Sequence, residues 1–562
     1  MKKLLGRILA CAIVSATCSA AFSGCSLTTT EGEEIDETKT QLEIGNMDRG
    51  LGDQWLNAVI GQFEETYKDY EGADGKKGVQ VVVTNKQDEF STSSLIANMP
   101  YNGIDLYIVA NSSYATLYTK QYEGESILAD LSDIVKAKNY DEKGNLTPDG
   151  AGETSIESRM AYAYKNYYDI SSDGSGKYYA LPFFATAAGG IYDADFFNEA
   201  GFYFFKNGEI GASQKDIDEG KCDVGPDGIE GTYDDGMPKT WEQFKKLMNA
   251  IVNYGGTPFI WDGLNTYERS YFFEQIYANY EGANDFNLLF TLNGTDSEFG
   301  AINEDNAWQL GGQQGRLAAN RAIKDIMSSN QYYSEDAMKS STTHTNAQML
   351  YLQSIEKNKR IAMFMEGSWW ENEARDVFDK MSLTEESWGH GKRDFRILPI
   401  PNFAGTTLAT AEETGGAAIV SEQNDRRQVM LMEDAGGSAI FISNQSKQKD
   451  LAKEFVKFMH SRQMLVLMTQ KSSCFRPFEY EFTPEEFAAC TKFTQSMLTM
   501  KNDGNTDVVW AKRKRNSVIE QSASLSAKWT SEEVFTTYFS GGNPYRTYLN
   551  TRDFYKQNWP KK

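Results

Sequence analysis

A strand–helix–strand–helix–strand order near the N-terminus is the feature that most constrains how this chain can fold. The apolar segments 41–46, 79–83 and 104–110 predict strands, and apolar residues at helical spacing from Trp55 to Tyr67 predict the first intervening helix. Strands that alternate with helices form parallel sheets whose faces the helices cover. The sequence therefore predicts an α/β fold.

Polar residues follow the first and third of these strands. They are Asp48 and Arg49 after the first strand and Asn111 after the third. Ligands of open α/β sheets bind outside the carboxyl ends of the strands. We therefore expect these three side chains to face a ligand.

The segment RIAMFMEGSWW predicts a second strand end of the same kind. Residues 361–365 are an apolar run too short for a typical helix, which favours a buried strand. Gly367 ends the run, and Ser368 with Glu371 has the spacing of a capping box, so a helix should begin there. Trp369 and the residue after it would lie in this turn, where an indole can stack on a flat ligand such as a sugar ring.

Two adjacent side chains in the first turn of a helix should not both point into the core. Trp369 and Trp370 are adjacent in this turn. We therefore expect at least one of them to face the ligand, although either indole alone could be a packing residue.

Length and charge limit the kinds of protein that the chain can be. With 562 residues, it is longer than one single-core domain usually is, so two domains are expected. The formal net charge of −23 argues against nucleic acid and anionic membrane surfaces as partners.

The N-terminus has the features of an export signal. A basic start and an apolar stretch occupy residues 1–24, and Ser23-Gly24-Cys25 resembles the lipobox of bacterial lipoproteins, although Phe22 stands where leucine is usual. Cys25 would then carry the lipid, and the polar residues 25–40 would form a disordered tether. The lipid would be the sole membrane anchor, on the outer face of the bacterial cytoplasmic membrane.

Cysteine and histidine usage argues against a disulfide framework and against common catalytic sites. An odd number of cysteines remains after the signal and Cys25, and the histidines have no second ligand at metal-binding spacing. No hydrolase, zinc-protease or P-loop motif is present. The residues concerned are Cys222, Cys474, Cys490, His344, His390 and His460.

Five segments resemble, in order, extracellular solute-binding proteins of the maltose-binding type, which serve ATP-driven carbohydrate importers. Each segment alone is a weak signal, but the ordered set covers most of the chain after residue 41. The segments are YALPFFATAAGGIYDADFFNEAG (179–201), MPKTWEQFKKLMNAI (237–251), KRIAMFMEGSWW (359–370), FRILPIP (395–401) and GGSAIFISNQSKQKDLAKEFVKFM (436–459).

The resemblance implies a two-lobed, periplasmic-binding-protein-like fold. Each lobe would contain a mostly parallel sheet flanked by helices, and the ligand cleft would lie between the lobes. The N-terminal lobe would comprise residues 41–186 plus 402–475, and the C-terminal lobe residues 187–401 plus 476–562. The chain is longer than usual members of the family, and the extra material near residues 198–236 and 286–341 has no counterpart that we can assign.

The resemblance also implies aromatic ligand contacts. Trp369 matches a sugar-stacking aromatic of the family, Trp510 lies where another often occurs, and Trp261 and Tyr267 lie near a third. Glu366, Asp48 and Arg49 would be hydrogen-bonding groups and not catalysts. The complete predicted site is Trp369, Trp370, Glu366, Trp261, Tyr267, Trp510, Asp48, Arg49 and Asn111.

Residues 223–234 resemble an EF-hand calcium loop. Asp223, Asp227 and Asp234 occupy loop positions one, five and twelve, and a glycine occupies position six. The loop departs from the motif at position three, a glycine, and at position twelve, where Asp replaces Glu. The prediction is one structural Ca²⁺ with Asp223, Asp227, Asp234, the Ile229 carbonyl and Asp235 as ligands; the alternative is a glycine-rich acidic turn without an ion. No other cofactor is expected.

The predicted function is to capture a carbohydrate, in particular an oligosaccharide, and to deliver it to the permease subunits of an ABC importer. The protein is expected to be monomeric, lipid-anchored and not an enzyme. A surface glycoside hydrolase is the alternative from another class, because it too would present tryptophans and paired carboxylates. A binding protein for another solute is the nearer alternative.

Overall fold

The structure is a computed structural model that describes residues 35–47, 50–72, 74–85, 90–110, 113–148, 151–264, 268–293, 300–357, 359–424, 427–434, 437–513, 515, 517–522, 525 and 532–560. All elements below belong to one compact unit, residues 36–562. Within the described ranges, no helix has the length and apolar character needed to cross a membrane. The predicted signal, Cys25 and most of the tether lie outside the described residues.

Seventeen strands are numbered here in chain order. They are β1 Thr40–Asn46, β2 Val79–Asn85, β3 Leu106–Val109, β4 Gln121–Tyr122, β5 Glu125–Ser126, β6 Leu181–Pro182, β7 Thr186–Asp193, β8 Tyr203–Phe204, β9 Ile210–Ala212, β10 Thr257–Trp261, β11 Ile361–Gly367, β12 Phe395–Ile397, β13 Thr407–Ala409, β14 Ile419–Val420, β15 Gln428–Glu433, β16 Ala439–Ile442 and β17 Thr506–Ala511.

The α-helices are numbered in the same way. They are α1 Gln54–Thr66, α2 Thr92–Asn98, α3 Tyr114–Leu117, α4 Ser132–Lys136, α5 Ile156–Arg159, α6 Tyr162–Tyr168, α7 Ala194–Ala200, α8 Gln214–Asp218, α9 Trp241–Tyr254, α10 Ser270–Glu281, α11 Ala283–Thr291, α12 Trp308–Gly311, α13 Gln314–Ile326, α14 His344–Gln353, α15 Trp370–Glu373, α16 Arg375–Ser382, α17 Ala411–Thr414, α18 Lys449–Met459, α19 Arg462–Ser472, α20 Pro484–Ala488, α21 Lys492–Asn502, α22 Val518–Gln521, α23 Glu532–Phe539 and α24 Pro544–Asn558. Short 3₁₀ turns cover Glu335–Met338, Ser354–Glu356 and Glu386–Trp388.

The first large sheet has the strand order β2-β1-β3-β16-β6. Its first three strands are parallel, as the alternation of strands and helices predicted. Between β1 and β2, helix α1 buries Trp55, Leu56, Val59 and Phe63 at helical spacing, which confirms the predicted core face. Strand β16 is antiparallel to both of its neighbours, β3 and β6, so β6 runs in the same direction as the first three strands.

The second large sheet has the order β10-β11-β7-β15-β17, with β12 also paired to β7. Strand pairs β10–β11 and β15–β17 are parallel, whereas β7 is antiparallel to β11, β12 and β15. Five of the six described strands therefore run in one direction and β7 opposes them, just as β16 opposes the other four strands of the first sheet, so both sheets are mostly parallel, as the resemblance implied. Strand β7 is reversed because it follows β6 after only a few residues and enters the second sheet without a helical crossover that would make it parallel.

The chain passes between the two sheets at two strand-to-strand links. The first link, between Pro182 of β6 and Thr186 of β7, ends beside the lobe boundary predicted at residues 186 and 187. The second lies between Glu433 of β15 and Ala439 of β16, whereas the next lobe boundary was predicted at residues 401 and 402. Strand β15 pairs with β7 and β17, so it is in the second sheet, although its residues were assigned to the N-terminal lobe.

A buried ion-pair network links the end of β7 to the residues that precede β11 and β12 and to the start of α7. The Asp193 side chain is fully buried, and its Oδ2 accepts hydrogen bonds from Arg360 Nη2 at 2.8 Å and from Arg393 Nη2 at 2.5 Å. Its Oδ1 accepts from the Phe196 amide at 3.1 Å and so caps α7. One carboxylate therefore pairs with two guanidinium groups and caps a helix N-terminus, and Glu199 Oε2, 3.0 Å from Arg360 Nη1, supplies a second negative charge.

The two regions without an assigned counterpart have regular structure. Residues 198–236 contain the β8–β9 hairpin, helix α8 and the acidic loop, here defined as residues 223–235. Residues 286–341 contain most of α11, then α12 and α13, and α13 packs against α10 and α24. Of these helices α11 contacts β17, whereas α13 packs on α10, which in turn contacts β7, β11 and β15.

Candidate ligand-binding site

Four strand ends converge at one edge of the second sheet, called here the carboxyl edge. Trp261, the last residue of β10, pairs with Met365 near the end of β11. Glu366, the next residue of β11, pairs with Gly189 in the first half of β7. On the other side of β7, the ends of β15 and β17 lie in register. Because β7 is antiparallel, its first residues lie at the same edge as the carboxyl ends of its neighbours.

The turn after β11 differs from the predicted capping box. Strand β11 ends at Gly367 and α15 begins at Trp370, which confirms the predicted change from strand to helix. However, the Ser368 hydroxyl lies 3.0 Å from Thr186 Oγ1 and accepts from the Ala187 amide at 3.3 Å, so it ties the turn to β7. Glu371 accepts instead from Thr491 Oγ1 at 2.6 Å.

Both tryptophans of this turn are buried, contrary to the expectation that one would face the ligand. Trp369 is 5% exposed; its ring lies over Gly367 and meets Tyr271 edge to face at 6.0 Å. Trp370 is 0% exposed and lies among rings from five other elements. These are Tyr351, Phe364, Phe378, Phe395 and Phe493, with centroid distances of 5.0 to 6.0 Å. Trp370 is therefore a packing residue, which corrects its assignment to the ligand site.

Trp261 is also in the core. It is 0% exposed, and its ring lies 5.2 Å from Tyr333 and 5.0 Å from Phe535. Its position at the end of β10 agrees with the prediction, but helix α23 supplies a ring that covers it. A direct stacking contact between Trp261 and a ligand is therefore not compatible with this arrangement.

Trp510 lines an open cavity of about 710 Å³. Its indole is half-buried and meets Tyr164 edge to face at 6.0 Å, and Tyr162, 73% exposed, lies at the same cavity. Polar side chains complete the wall: Glu281, Asn284, Asp285, Asn287, Arg427 and Asp507. Two accessible rings beside carboxylate, amide and guanidinium groups form a surface suited to stacking against a sugar ring and hydrogen bonding to its hydroxyls.

Glu366 is a buried carboxylate at the carboxyl edge. It is 1% exposed, and its Oε1 accepts from the Gly367 amide at 2.9 Å. Burial raises the pKa of Glu366 well above its ordinary value, and the charges of Glu268, Asp262 and Glu373 raise it further. Strand-end reasoning applied to β10 would have found Asp262, which directly follows Trp261, but our sequence analysis missed it together with Glu268 and Tyr271.

Four predicted ligand contacts lie outside the described residues: Asp48, Arg49, Asn111 and Tyr267. Their assignment stays a prediction. Tyr162 is an additional cavity residue that the sequence analysis did not identify. It is the first residue of α6, and no periodic pattern of apolar residues marks it as a ligand contact.

The acidic loop brings two of its carboxylates together. Asp234 is fully buried, and its Oδ2 accepts from the Asp227 amide at 2.9 Å. Burial raises the pKa of Asp234 to about 8, and the charge of Asp227 contributes. Gly225 has a φ of +67°, and a Cβ there would lie 2.2 Å from the Asp234 carbonyl oxygen, so the loop closes tightly on Asp234 only because residue 225 is glycine.

The other predicted calcium ligands are arranged differently. Asp223 faces Lys239 Nζ at 3.7 Å and Gln243 Nε2 at 3.4 Å. Buried oxygens of Asp227 (Oδ2) and Asp235 (Oδ1) have no hydrogen-bond partner within the described part of the chain. Across the same described ranges, no three Asp, Glu, His or Cys side chains are grouped as metal ligands. The five predicted ligands are thus not assembled into one metal site in this structure.

Comparison with known proteins places the fold. No protein-family model matches the sequence, and no curated protein matches it in sequence. Among solved structures, maltose-bound MalE3 of T. maritima superposes with a TM-score of 0.52 at 12% identity, covering 92% of this chain and 99% of that one.

Two further receptors match over similar lengths. The GacH receptor of Streptomyces glaucescens, solved in the unliganded form and with acarbose, has a TM-score of 0.50 at 13% identity and covers 94% of this chain and 99% of its own. The apo-form of RafE from Streptococcus pneumoniae has a TM-score of 0.50 at 15% identity, with 93% and 99% coverage. The chain therefore has the α/β fold of these solute-binding proteins, as the resemblance implied.

Proposed function

We propose, from this shared fold, that the chain is an extracellular solute-binding lipoprotein that captures an oligosaccharide and delivers it to an ABC importer. The solved structures named above support a carbohydrate, because two of them were determined with maltose or with acarbose. Lipidation at Cys25 would hold the protein at the membrane, and the permease subunits would be its protein partners.

One observation carries the proposal beyond the fold. The cavity beside β17 combines the rings of Trp510 and Tyr162 with several hydrogen-bonding side chains. Sugar rings present flat C–H faces and peripheral hydroxyls, and they bind to this combination of aromatic and polar groups. No covalent chemistry is required, so the acidic residues would act as hydrogen-bond acceptors.

Trp510→Ala should weaken oligosaccharide binding by about 2 kcal/mol, or roughly thirtyfold, because the ligand loses the larger aromatic face of the cavity. Isothermal titration calorimetry of the wild type and the variant measures this loss. Trp388→Ala is the matched control, because Trp388 is also half-buried but does not line the cavity. Equal affinity of wild type and Trp510→Ala, or an equal loss in both variants, would argue against this cavity as the site.

We also propose that the acidic loop binds one structural Ca²⁺. Asp227, Asp234 and Asp235 would supply carboxylate oxygens together with the Ile229 carbonyl, and Asp223 would leave Lys239 to join them. The unpartnered Asp227 and Asp235 oxygens support this proposal, because buried carboxylate oxygens are usually hydrogen-bonded or ion-paired.

Calcium should stabilise the protein more at pH 9 than at pH 6. The folded-state pKa of Asp234, about 8 against an ordinary 3.8, means that its contribution to stability is present at low pH and is lost as pH rises toward 8. Calcium binds the ionised form and would restore stability above that pH, raising Tm by about 1 to 3 °C at roughly ten times Kd.

Differential scanning calorimetry with Ca²⁺ and with Mg²⁺ as control, at both pH values, measures this effect. The Asp227→Asn variant should lose the calcium response. An unchanged Tm at millimolar Ca²⁺ at pH 9 would mean that the loop is an acidic turn without an ion.

A further inference from the structure

Carboxylates stand at the ends of three strands of the carboxyl edge. Asp262 follows β10, Glu366 is the penultimate residue of β11, and Glu433 ends β15, with Asp434 after it. Glu433 is paired with Thr186 and Glu366 with Gly189, so both lie against the start of β7. The sheet topology therefore collects acidic groups from separate parts of the sequence at one edge.

Glu366 has an oxygen that the protein does not satisfy. Its Oε1 accepts from the Gly367 amide, but its Oε2 is buried and has no hydrogen-bond partner among the residues that the structure describes. The residue is 1% exposed, so water does not replace the missing partner freely. A buried carboxylate oxygen without a donor is unfavourable, because the group has lost its hydrogen bonds to water and gained none from the protein.

Other acids surround this oxygen. Asp262, 0% exposed, and Glu268, 4% exposed, share a hydrogen bond between their side chains, and both act electrostatically on Glu366, as does Glu373. Three carboxyl groups thus lie close enough to Glu366 to disfavour its ionised form. Such a group of acids favours a positive charge in its centre.

Arg269 and His344, which are cationic side chains that the structure describes beside these acids, already have partners. Arg269 Nη1 lies 3.7 Å from Asp262 Oδ2 and donates to the Gly263 carbonyl at 2.8 Å, while its Nη2 donates to Leu264 at 3.1 Å. His344 Nε2 lies 3.3 Å from Glu373 Oε1. Arg269 is therefore directed toward Asp262, and His344 toward Glu373. Neither side chain donates a hydrogen bond to Glu366 Oε2.

We propose that the oligosaccharide extends from the cavity beside β17 to the carboxyl edge and there carries a protonated amine, which donates to Glu366 Oε2 and is held by Asp262, Glu268 and Glu373. The inference rests on the proposed function, and it narrows the substrate class to oligosaccharides that contain a free amino sugar. An ammonium group supplies three N–H donors and one positive charge, which is the complement of this acidic group.

The principal alternative is that Glu366 keeps its proton and acts as a neutral hydrogen-bonding group toward sugar hydroxyls. Glutamine imitates the neutral acid in shape and hydrogen bonding but carries no charge, so Glu366→Gln separates the two roles. It should abolish a preference for an amine and leave hydroxyl contacts in place.

The test is calorimetric titration of the full protein with the glucosamine trimer and with its N-acetylated counterpart, which has the same length and linkage but no ammonium. The wild type should bind the free amine at least about tenfold more tightly. Glu366→Gln should lose this preference while its unliganded Tm stays equal or rises, because a buried repulsive charge has been removed. The control Glu335→Gln, whose side chain is 88% exposed, should bind as the wild type does.

Equal binding of both trimers by the wild type, or an equal loss of both by Glu366→Gln, would overturn the inference and leave carbohydrate binding intact. Spermidine, an amine without a sugar, separates the remaining cases. Binding of spermidine but of neither trimer would support the charged site and overturn the proposed carbohydrate function. Absence of binding by all three probes would overturn the inference as well.

Discussion

Trp370→Ala should destabilise the unliganded protein by about 3 to 5 kcal/mol, the usual cost of removing a large aromatic side chain from a core. The indole is fully buried and in contact with five rings from α14, β11, α16, β12 and α21. Its loss would leave a cavity at the point where these elements meet, and none of the surrounding rings can fill it without leaving its own contacts.

Urea unfolding of the ligand-free protein, followed by circular dichroism, measures this loss. Trp370→Phe retains one ring and should cost less than half as much. A variant Trp370→Ala with an unchanged unfolding midpoint and a large loss of ligand affinity would restore Trp370 to the binding site and contradict the packing role.

Asp193→Ala should destabilise the protein by about 3 to 5 kcal/mol, because it leaves the buried Arg393 guanidinium without its counter-ion and removes one of the two carboxylates paired with Arg360. Arg393 is 3% exposed, and its Nη2 reaches Asp193 at 2.5 Å; Arg360 approaches the same oxygen at 2.8 Å. The substitution also removes the cap of α7 at the Phe196 amide.

A paired variant separates the charge from the cap. Asp193→Asn keeps an oxygen that can accept from the Phe196 amide but carries no negative charge, so most of the loss should remain in it. Thermal unfolding of both variants at low and high salt provides the measurement. A change below about 1 kcal/mol in both would mean that the network contributes no more than an exposed ion pair does.

The sequence was sufficient to predict β1, β2 and β3 of the first sheet, because their apolar runs and the helical spacing of Trp55, Leu56, Val59 and Phe63 are local signals. The change from strand to helix after Gly367 was also predictable. The orientation of β7 and β16 was not, because it depends on how few residues link them to β6 and β15, which lie in the other sheet.

Burial of the tryptophans could not be derived from their position alone. The sequence places Trp369 and Trp370 in one helical turn, but the rings that cover them come from distant segments, including Tyr271, Phe395 and Phe493. Local geometry predicts which way a side chain leaves its helix; it does not predict whether another element lies there. For the same reason, the sequence did not show that Ser368 would bind β7 and not cap its own helix.

Trp510 illustrates the opposite case. Its match to an aromatic ligand contact of the family was weaker than that of Trp369. Trp510 nevertheless lines an open cavity together with Tyr162, whose contribution no sequence pattern indicated. The buried acids at the carboxyl edge were only partly predictable, because Asp262 follows a strand but Glu268 does not.

Calorimetric titration of the protein with a panel of oligosaccharides, followed by chromatography of the recovered sugar, tests the central claim most directly. The panel contains maltotriose, raffinose, acarbose and the glucosamine trimer. We predict saturable binding of at least one sugar in a 1:1 complex, with the sugar recovered intact. Cleavage of the sugar would identify a glycoside hydrolase instead, and the absence of binding to every sugar at millimolar concentration would contradict a carbohydrate-binding function.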